Sequence, residues 1–294
     1  MVTESPPALG RREAQAQRPP RPRLRAEVTE LWRSRELVGN LVRRDLKVRH
    51  RGTFLGMLWS LTTPLLTVGL YYFVFKVLLG AAPVTDFARP DGHGIPFAIY
   101  FFCGLTIWNF FGNSVGNATG SVVGSGYLLN KVYFPRSILP LSVVLSSLIT
   151  LGFELSVLVV SVLLVVGLPS AHLLWLPVIV AIVGILSYGL ALILSTITVF
   201  LRDVAHFIGV FLQLWFWGTP IIYSLQFAAG RPGLMRLLKL NPMTGMVVSF
   251  RDVVVLNHAP SFKLMAYDAA VALISLGIGA VVFSRSQRLF SEIV

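Results

Sequence analysis

Sulfur and acid are scarce in this sequence, and each shortage narrows what it does. One cysteine, Cys103, allows neither an intramolecular disulfide nor a thiolate metal site. Thirteen Asp and Glu stand against 25 Lys and Arg, and seven of the acids lie beyond residue 53. Those seven, Asp86, Asp91, Glu154, Asp203, Asp252, Asp268 and Glu292, form no pair at catalytic spacing. The five histidines are scattered, with no His-Glu-x-x-His pattern and no Cys/His cluster. A Gly-x-x-x-x-Gly-Lys-Ser/Thr phosphate loop is missing too, so the chain does not bind ATP by that route. Neither a metal, a cofactor nor a catalytic residue is expected here. Charge itself is low, at 13% of 294 residues, where an ordinary soluble domain carries about 25%. With 55% hydrophobic residues and a mean hydropathy of +0.74, the chain reads as an all-α polytopic membrane protein.

What charge there is gathers at one end. Residues 1–53 hold 13 of the 25 Lys and Arg against six acids, which suits a membrane surface better than nucleic acid. Residues 1–26 are rich in Pro, Arg, Ala and Gln and read as a disordered basic tail, not a signal peptide. Residues 27–53 read as an amphipathic interface helix. Val28, Leu31, Trp32, Val38, Val42 and Leu46 share one side of the wheel, and Arg33, Glu36, Asn40, Arg43, Arg44 and Lys47 largely share the other. Leu37, Leu41 and Val48 spoil the separation. Lying in the interface plane, the helix would set Trp32 at headgroup level beside Arg43, Arg44, Lys47 and Arg49. A plain solvated helix is the alternative.

Six spans are expected near 54–79, 95–117, 138–166, 174–200, 206–225 and 264–283, with a tail over 284–294. Pro64, Pro140, Pro177 and Pro220 suggest kinks. Gly112, Gly116, Gly120 and Gly124 recur every fourth residue, either as a close-packing seam or as loop glycines past the second span. An even number of spans puts both termini on one side, and the basic arm makes that side cytoplasmic. The remaining cations vote the other way: Lys131, Arg136, Arg202, Arg285 and Arg288 inside against Lys76, Arg89, Arg231, Arg236, Lys239, Arg251 and Lys263 outside. Between the last two spans, residues 226–262 fit two short amphipathic helices dipping into the outer leaflet. Glu154 alone lies deep in a span, as a helix-pairing or gating contact or as a packing carboxyl. Tyr71, Tyr72, Phe75, Tyr100, Phe101, Trp108, Phe111, Trp215, Trp217 and Tyr223 concentrate in three spans. They make an interfacial aromatic belt or line a path for a sliding sugar polymer.

The stretch Asn130-Lys131-Val132-Tyr133-Phe134-Pro135-Arg136, running on to Pro140, is a short polar break between two long apolar runs. Two cations at a bilayer centre cost roughly 2.5–3.5 kcal/mol each, so this piece belongs at a membrane surface. It reads as a handle for something outside the bilayer.

Several motifs together resemble the permease subunit of type-2 ABC exporters, in the branch that exports O-antigen, capsule, teichoic acid and galactan. They are Arg44-Asp45-Leu46-Lys47-Val48-Arg49 with Leu55-Gly56-Met57-Leu58-Trp59, Gly104-Leu105-Thr106-Ile107-Trp108-Asn109-Phe110-Phe111, and Lys131-Val132-Tyr133-Phe134-Pro135-Arg136 with Leu139-Pro140. Arg202-Asp203-Val204, Thr219-Pro220-Ile221-Ile222-Tyr223, Asn241-Pro242 and Phe250-Arg251-Asp252 complete the set. The resemblance covers about residues 36–260 and leaves out the tail. It implies a homodimeric channel in the cell inner or plasma membrane, each copy docked on a separate ATPase subunit that holds ATP and Mg2+. The coupling helix would fall at Asn130 to Arg136, and the outer gate helices between spans five and six. Glu154, Arg202, Asp203, Asn241, Pro242 and Arg251 would have gating or structural roles, and the aromatics would face the conduit. The substrate would be a lipid-linked glycan; the Arg/Ala/Pro bias suggests a high-GC source, for which the resemblance favours a galactan of the actinobacterial wall. Competing readings are a permease for a small lipophile or drug, an integral-membrane glycosyl- or acyltransferase, and a channel or scaffold without an ATPase.

Overall fold

The computed structural model describes residues 34–49, 58–78, 94–129 and 134–293. The tail, Trp32 and the coupling residues Asn130, Lys131, Val132 and Tyr133 lie outside the described residues, as do the side chains of Arg49 and Phe75. Every regular element described is helical. In chain order these are α1 (Arg35–Arg49), α2 (Trp59–Tyr72, continued by a π-helical turn to Leu78), α3 (Phe97–Thr119) and α4 (Ile138–Val165). There follow α5 (Leu176–Phe200), α6 (Val204–Trp217), α7 (Pro232–Leu240), α8 (Pro242–Val254) and α9 (Phe262–Ser286).

Three stretches are long and apolar enough to cross a membrane: Ile138–Val165, Ala171–Phe200 (α5 with its leading 3-10 turn) and Phe262–Ser286. α3 plays a different part. It is apolar nearly all round through its first four turns, as a helix enclosed by protein should be, and 17 of its 23 residues are buried. It packs against α4 and α5, then α8, α2 and α6, and so forms the hub of the bundle.

The most extensive helix pair is α5 with α9. Its cause is two glycines the sequence reading passed over. A Cβ on Gly189 would lie 2.5 Å from the Leu276 nitrogen and 2.6 Å from the Ser275 carbonyl carbon, and one on Gly279 would strike the Gly189 carbonyl. Without hydrophobic drive between spans, such small residues let backbones touch. The glycine run on α3 is no such seam within the chain. Gly120 ends α3 and Gly124 lies in the turn beyond, and a Cβ on either meets nothing within 4 Å.

The prolines sort by position. Of the four named prolines, Pro64 alone lies inside a helix beyond its first turn, in α2. Pro140 and Pro177 occupy the first turns of α4 and α5, where the missing N–H has no intrahelical partner to lose. Pro220 follows α6 in a non-helical turn.

α1 docks on the first half of α4. Leu41 and Val42 are buried, while Arg43, Arg44, Lys47 and Val48 are exposed. Leu37 and Val38 pack on a small cluster of Leu41, Val122, Ile138, Leu139, Leu192, Val199, Phe283 and Phe290. That cluster draws together α1 and the ends of α5 and α9 with the start of α4, and defines the arm end of the bundle. Opposite it, α7, α8 and the residues after α6 close the other end.

Candidate functional site

Span five was expected to run to residue 225, but helix α6 stops at Trp217. Gly218 and Pro220 break it, and the backbone from Gly218 to Ser224 is irregular. Irregular backbone beside a bilayer persists only where its polar groups find protein partners. Two side chains from α8 and its cap supply them, and the result is a polar knot.

Asn241 caps α8 and uses its whole amide. Its Oδ1 accepts from Met243 N at 3.0 Å and from Trp215 Nε1 at 2.8 Å. Its Nδ2 donates to the Gly218 carbonyl at 3.0 Å and to Thr219 Oγ1 at 2.9 Å. Pro242 follows as the first helical residue, with φ already suited to the helix.

Arg251 lies deeper, 2% exposed, with no carboxylate against it among the described contacts. Its Nε donates to the Tyr100 carbonyl at 3.1 Å. Its Nη1 donates to Tyr100 Oη at 2.9 Å and to the Pro220 carbonyl at 2.6 Å, and Nη2 donates to the Ile221 carbonyl. The guanidinium carbon sits 3.8 Å above the Tyr100 ring, a cation–π contact worth about 2 kcal/mol when desolvated. Gly104 makes room for it, since a Cβ there would stand 2.9 Å from that carbon. Arg251 therefore fastens α8 to α3 and to the turn after α6. Being buried, it leaves the tally of outside cations that opposed the orientation set by the arm. Beside it, burial pushes the half-buried Asp252 carboxyl up to about 6, against the pull of His258 and Arg251.

Glu154 is 3% exposed on α4 and accepts from Asn109 Nδ2 of α3 at 3.5 Å. Arg202 and Asp203 lie exposed in the turn between α5 and α6, where the Asp203 carbonyl accepts from His206 and Phe207 N. Of the coupling stretch, Phe134, Pro135 and Arg136 are described. Phe134 packs on the arm-end cluster, and the Pro135 and Arg136 carbonyls start α4 by accepting from Ile138 and Leu139 N. Arg44 bonds its neighbour Asp45 at 3.1 Å. Asp45 also accepts from Ser142 Oγ at 3.3 Å, and Ser146 Oγ donates to the Val42 carbonyl at 3.4 Å.

The aromatics divide. Tyr100, Phe101, Trp108 and Phe111 are buried, with Trp108 edge-on to Phe216 at 5.7 Å and Phe111 edge-on to Trp215 at 5.1 Å. Tyr72 and Trp217 are exposed, and Tyr71, Trp215 and Tyr223 are half-buried.

One feature of α3 went unnoticed behind its glycines. Residues 109–124 read Asn-Phe-Phe-Gly, Asn-Ser-Val-Gly, Asn-Ala-Thr-Gly, Ser-Val-Val-Gly, four tetrads with a polar residue leading each. The two middle residues are buried in each of the first three tetrads, while Asn113 and Asn117 are exposed. A cavity of about 210 Å3 opens between α3 and α6 at Asn109, Asn113 and Gln213. Another of about 670 Å3 opens among α1, α3 and α4 at Arg44, Asn117, Ser121, Ser142 and Ser146.

Comparison with known proteins decides the family. The model of the ABC-2 type transporter family matches residues 36–255. This chain belongs to the ABC-2 type transporter family. It is a multi-pass membrane protein and a transport subunit. Among curated relatives, the O-antigen export system permease protein RfbA of Myxococcus xanthus is 32% identical over 265 residues, which is 90% of this chain and 98% of the relative. A protein of the same name from Klebsiella pneumoniae is 28% identical over 261 residues, 88% of this chain and 95% of the relative.

Proposed function

We propose that this chain is the permease of an ATP-driven polysaccharide exporter, moving a lipid-linked glycan from the cytoplasmic to the outer face of the inner or plasma membrane. The observation that carries the reading is similarity along nearly the whole chain to O-antigen export permeases, 98% of one relative's length being covered. On this reading α2 to α6 and α9 make six crossings, α7 and α8 return into the outer leaflet, and both termini are cytoplasmic. Residues 1–26 are a basic tail, 27–53 an interface arm, 54–283 the transmembrane domain and 284–294 a cytoplasmic tail. Two copies form the conduit, and Tyr71, Tyr72, Trp215, Trp217 and Tyr223 keep ring surface available to line it. A galactan remains one of the glycans it would carry.

Since no phosphate loop occurs in the sequence, the energy comes from a separate ATPase chain that holds ATP and Mg2+. Asn130 to Arg136 would seat in that ATPase, with Phe134 anchoring the stretch to the arm-end cluster. The test is co-purification with the candidate ATPase, comparing the native chain with Phe134→Ala/Arg136→Ala. The reading predicts a complex whose ATPase rate responds to the permease, weakened at least tenfold in the variant. A native chain that binds no ATPase overturns it.

A further inference from the structure

The tetrads set a row of three asparagines, Asn109, Asn113 and Asn117, along α3 at the centre of a membrane protein, and Ser121, its hydroxyl buried, continues the spacing in the turn just past the helix end. Each step of four residues turns the row by about 40°, so it winds from the interior at Asn109, where the amide meets Glu154, to the open edge of α3. Asn113 and Asn117 are exposed there. Asn117 Nδ2 donates to the Asn113 carbonyl at 2.8 Å, while the Asn113 side chain bonds no other described residue. Amides turned to hydrocarbon would be heavily penalised, because lipid offers no hydrogen bonds. The row therefore faces water or a polar ligand.

Two further observations point to a ligand. Cavities lie at both ends of the row, one against Gln213 of α6 and one against Arg44 of α1 and Ser142 of α4. The glycine closing each tetrad is also not demanded by packing within the chain. A Cβ on Gly120 or Gly124 meets nothing within 4 Å, and one on Gly116 makes an ordinary 3.5 Å contact with Leu212. Glycine at these places keeps the wall beside each polar side chain low. The groove so formed carries amide donors and acceptors repeating at a regular rise, with Glu154 at its inner end and the Arg44–Asp45 pair at its arm end.

We propose that Asn109, Asn113, Asn117 and Ser121 form a carbohydrate track, hydrogen-bonding the hydroxyls of a neutral sugar polymer as it passes between the two cavities. An amide offers both a donor and an acceptor, so it suits a hydroxyl in any orientation. Neutral hydrogen bonds are weak enough to be exchanged step by step, which a moving chain requires. Arg44, bonded to Asp45 through Nε and Nη2, lines the arm-end cavity with it and is the one cation lining either cavity among the described residues; its remaining donors suit an anionic group at the polymer's lipid-bearing end. The proposal rests on the exporter reading and deepens it.

The sequence offers its own probe, because the single native thiol, Cys103, is buried. Asn113→Cys and Asn117→Cys would be made in the full chain with its ATPase, in membranes, and treated with the membrane-impermeant reagent sulfonatoethyl methanethiosulfonate. Phe207→Cys, on an exposed apolar face of α6, serves as the comparison. The track predicts labelling of both asparagine positions at least tenfold faster than Cys103 in the native chain and Phe207→Cys. In cells lacking the native gene, Asn113→Leu/Asn117→Leu should lower surface polysaccharide more than tenfold at normal protein level. Asn113→Gln/Asn117→Gln should restore most of it. Absence of labelling overturns the proposal and makes the row a dry seam, between copies of the chain or against lipid. Labelling with export within twofold of native overturns recognition by the amides. If the native chain itself restores no surface polymer, the exporter reading fails first.

Discussion

At the end formed by α7 and α8, Asn241 satisfies both its amide donors and its acceptor within the protein, and Arg251 gives its donors to three carbonyls and a phenol. Along α3, Asn113 and Asn117 instead turn their amides outward beside glycines that leave space. Both are polar intrusions into an apolar protein. The closed one has the marks of a fastening: burial, full partnering, and a glycine, Gly104, cut to fit. The open one has the marks of a surface kept for something else. Polar groups in a membrane protein are costly wherever they stand, so the manner in which each is satisfied separates structure from transport.

Breaking the knot should have the largest effect. Arg251→Leu strands the Pro220 and Ile221 carbonyls of the irregular turn, at about 1–3 kcal/mol each, and should leave little folded chain recoverable in detergent by size-exclusion chromatography. Asn241→Ala removes the α8 cap and orphans Trp215 Nε1. A loss of about 2–3 kcal/mol is expected, read as a lowered Tm with a change in tryptophan emission.

A glycine pair sharpens the contrast next. Gly189→Ala drives a methyl into the α9 backbone and should lower stability by about 1–3 kcal/mol. Gly120→Ala meets open space and should stay within about 0.5 kcal/mol of native. Equal losses at the two glycines would abolish the distinction between packed and open positions.

The smallest effect concerns Asp252. Its folded carboxyl titrates near 6 against an ordinary 3.8, so between those values the native state holds a proton that the unfolded chain releases. Stability should therefore fall as pH rises through that window and flatten above it. In Asp252→Asn that decline should vanish, raising Tm at pH 7.5 relative to native while leaving it nearly unchanged at pH 4. A Tm difference independent of pH would assign the effect to packing.

Much of this was legible in the sequence, and its failures have physical causes. Apolar length marked α4, α5 and α9 because lipid imposes one chemistry over some 20 residues. Of the pieces of the knot, Tyr100 stood among the aromatics of the second span, and Thr219-Pro220, Asn241-Pro242 and Arg251 were visible as motifs. Their convergence was not, since Arg251 meets a partner 151 residues away. The face of α1 was set slightly wrong because it was balanced against lipid alone. Leu41, placed off the apolar side, is 4% exposed because α1 leans on α4, whereas Val48 is the exposed one. Gly189 and Gly279 carried no pattern, each needing only its opposite number across the α5–α9 contact. The glycines of α3 drew attention to themselves and away from the asparagines that precede the next tetrads.

The most direct test of the central claim is the fate of the polymer in the host when this chain is deleted. Lipid-linked polysaccharide would be extracted from the cell interior and from the surface of native, deleted and re-complemented cells. The account predicts that surface polymer is lost, that lipid-linked polymer accumulates inside, and that the native chain reverses both. Surface polysaccharide unchanged by the deletion, with no internal accumulation, would contradict it.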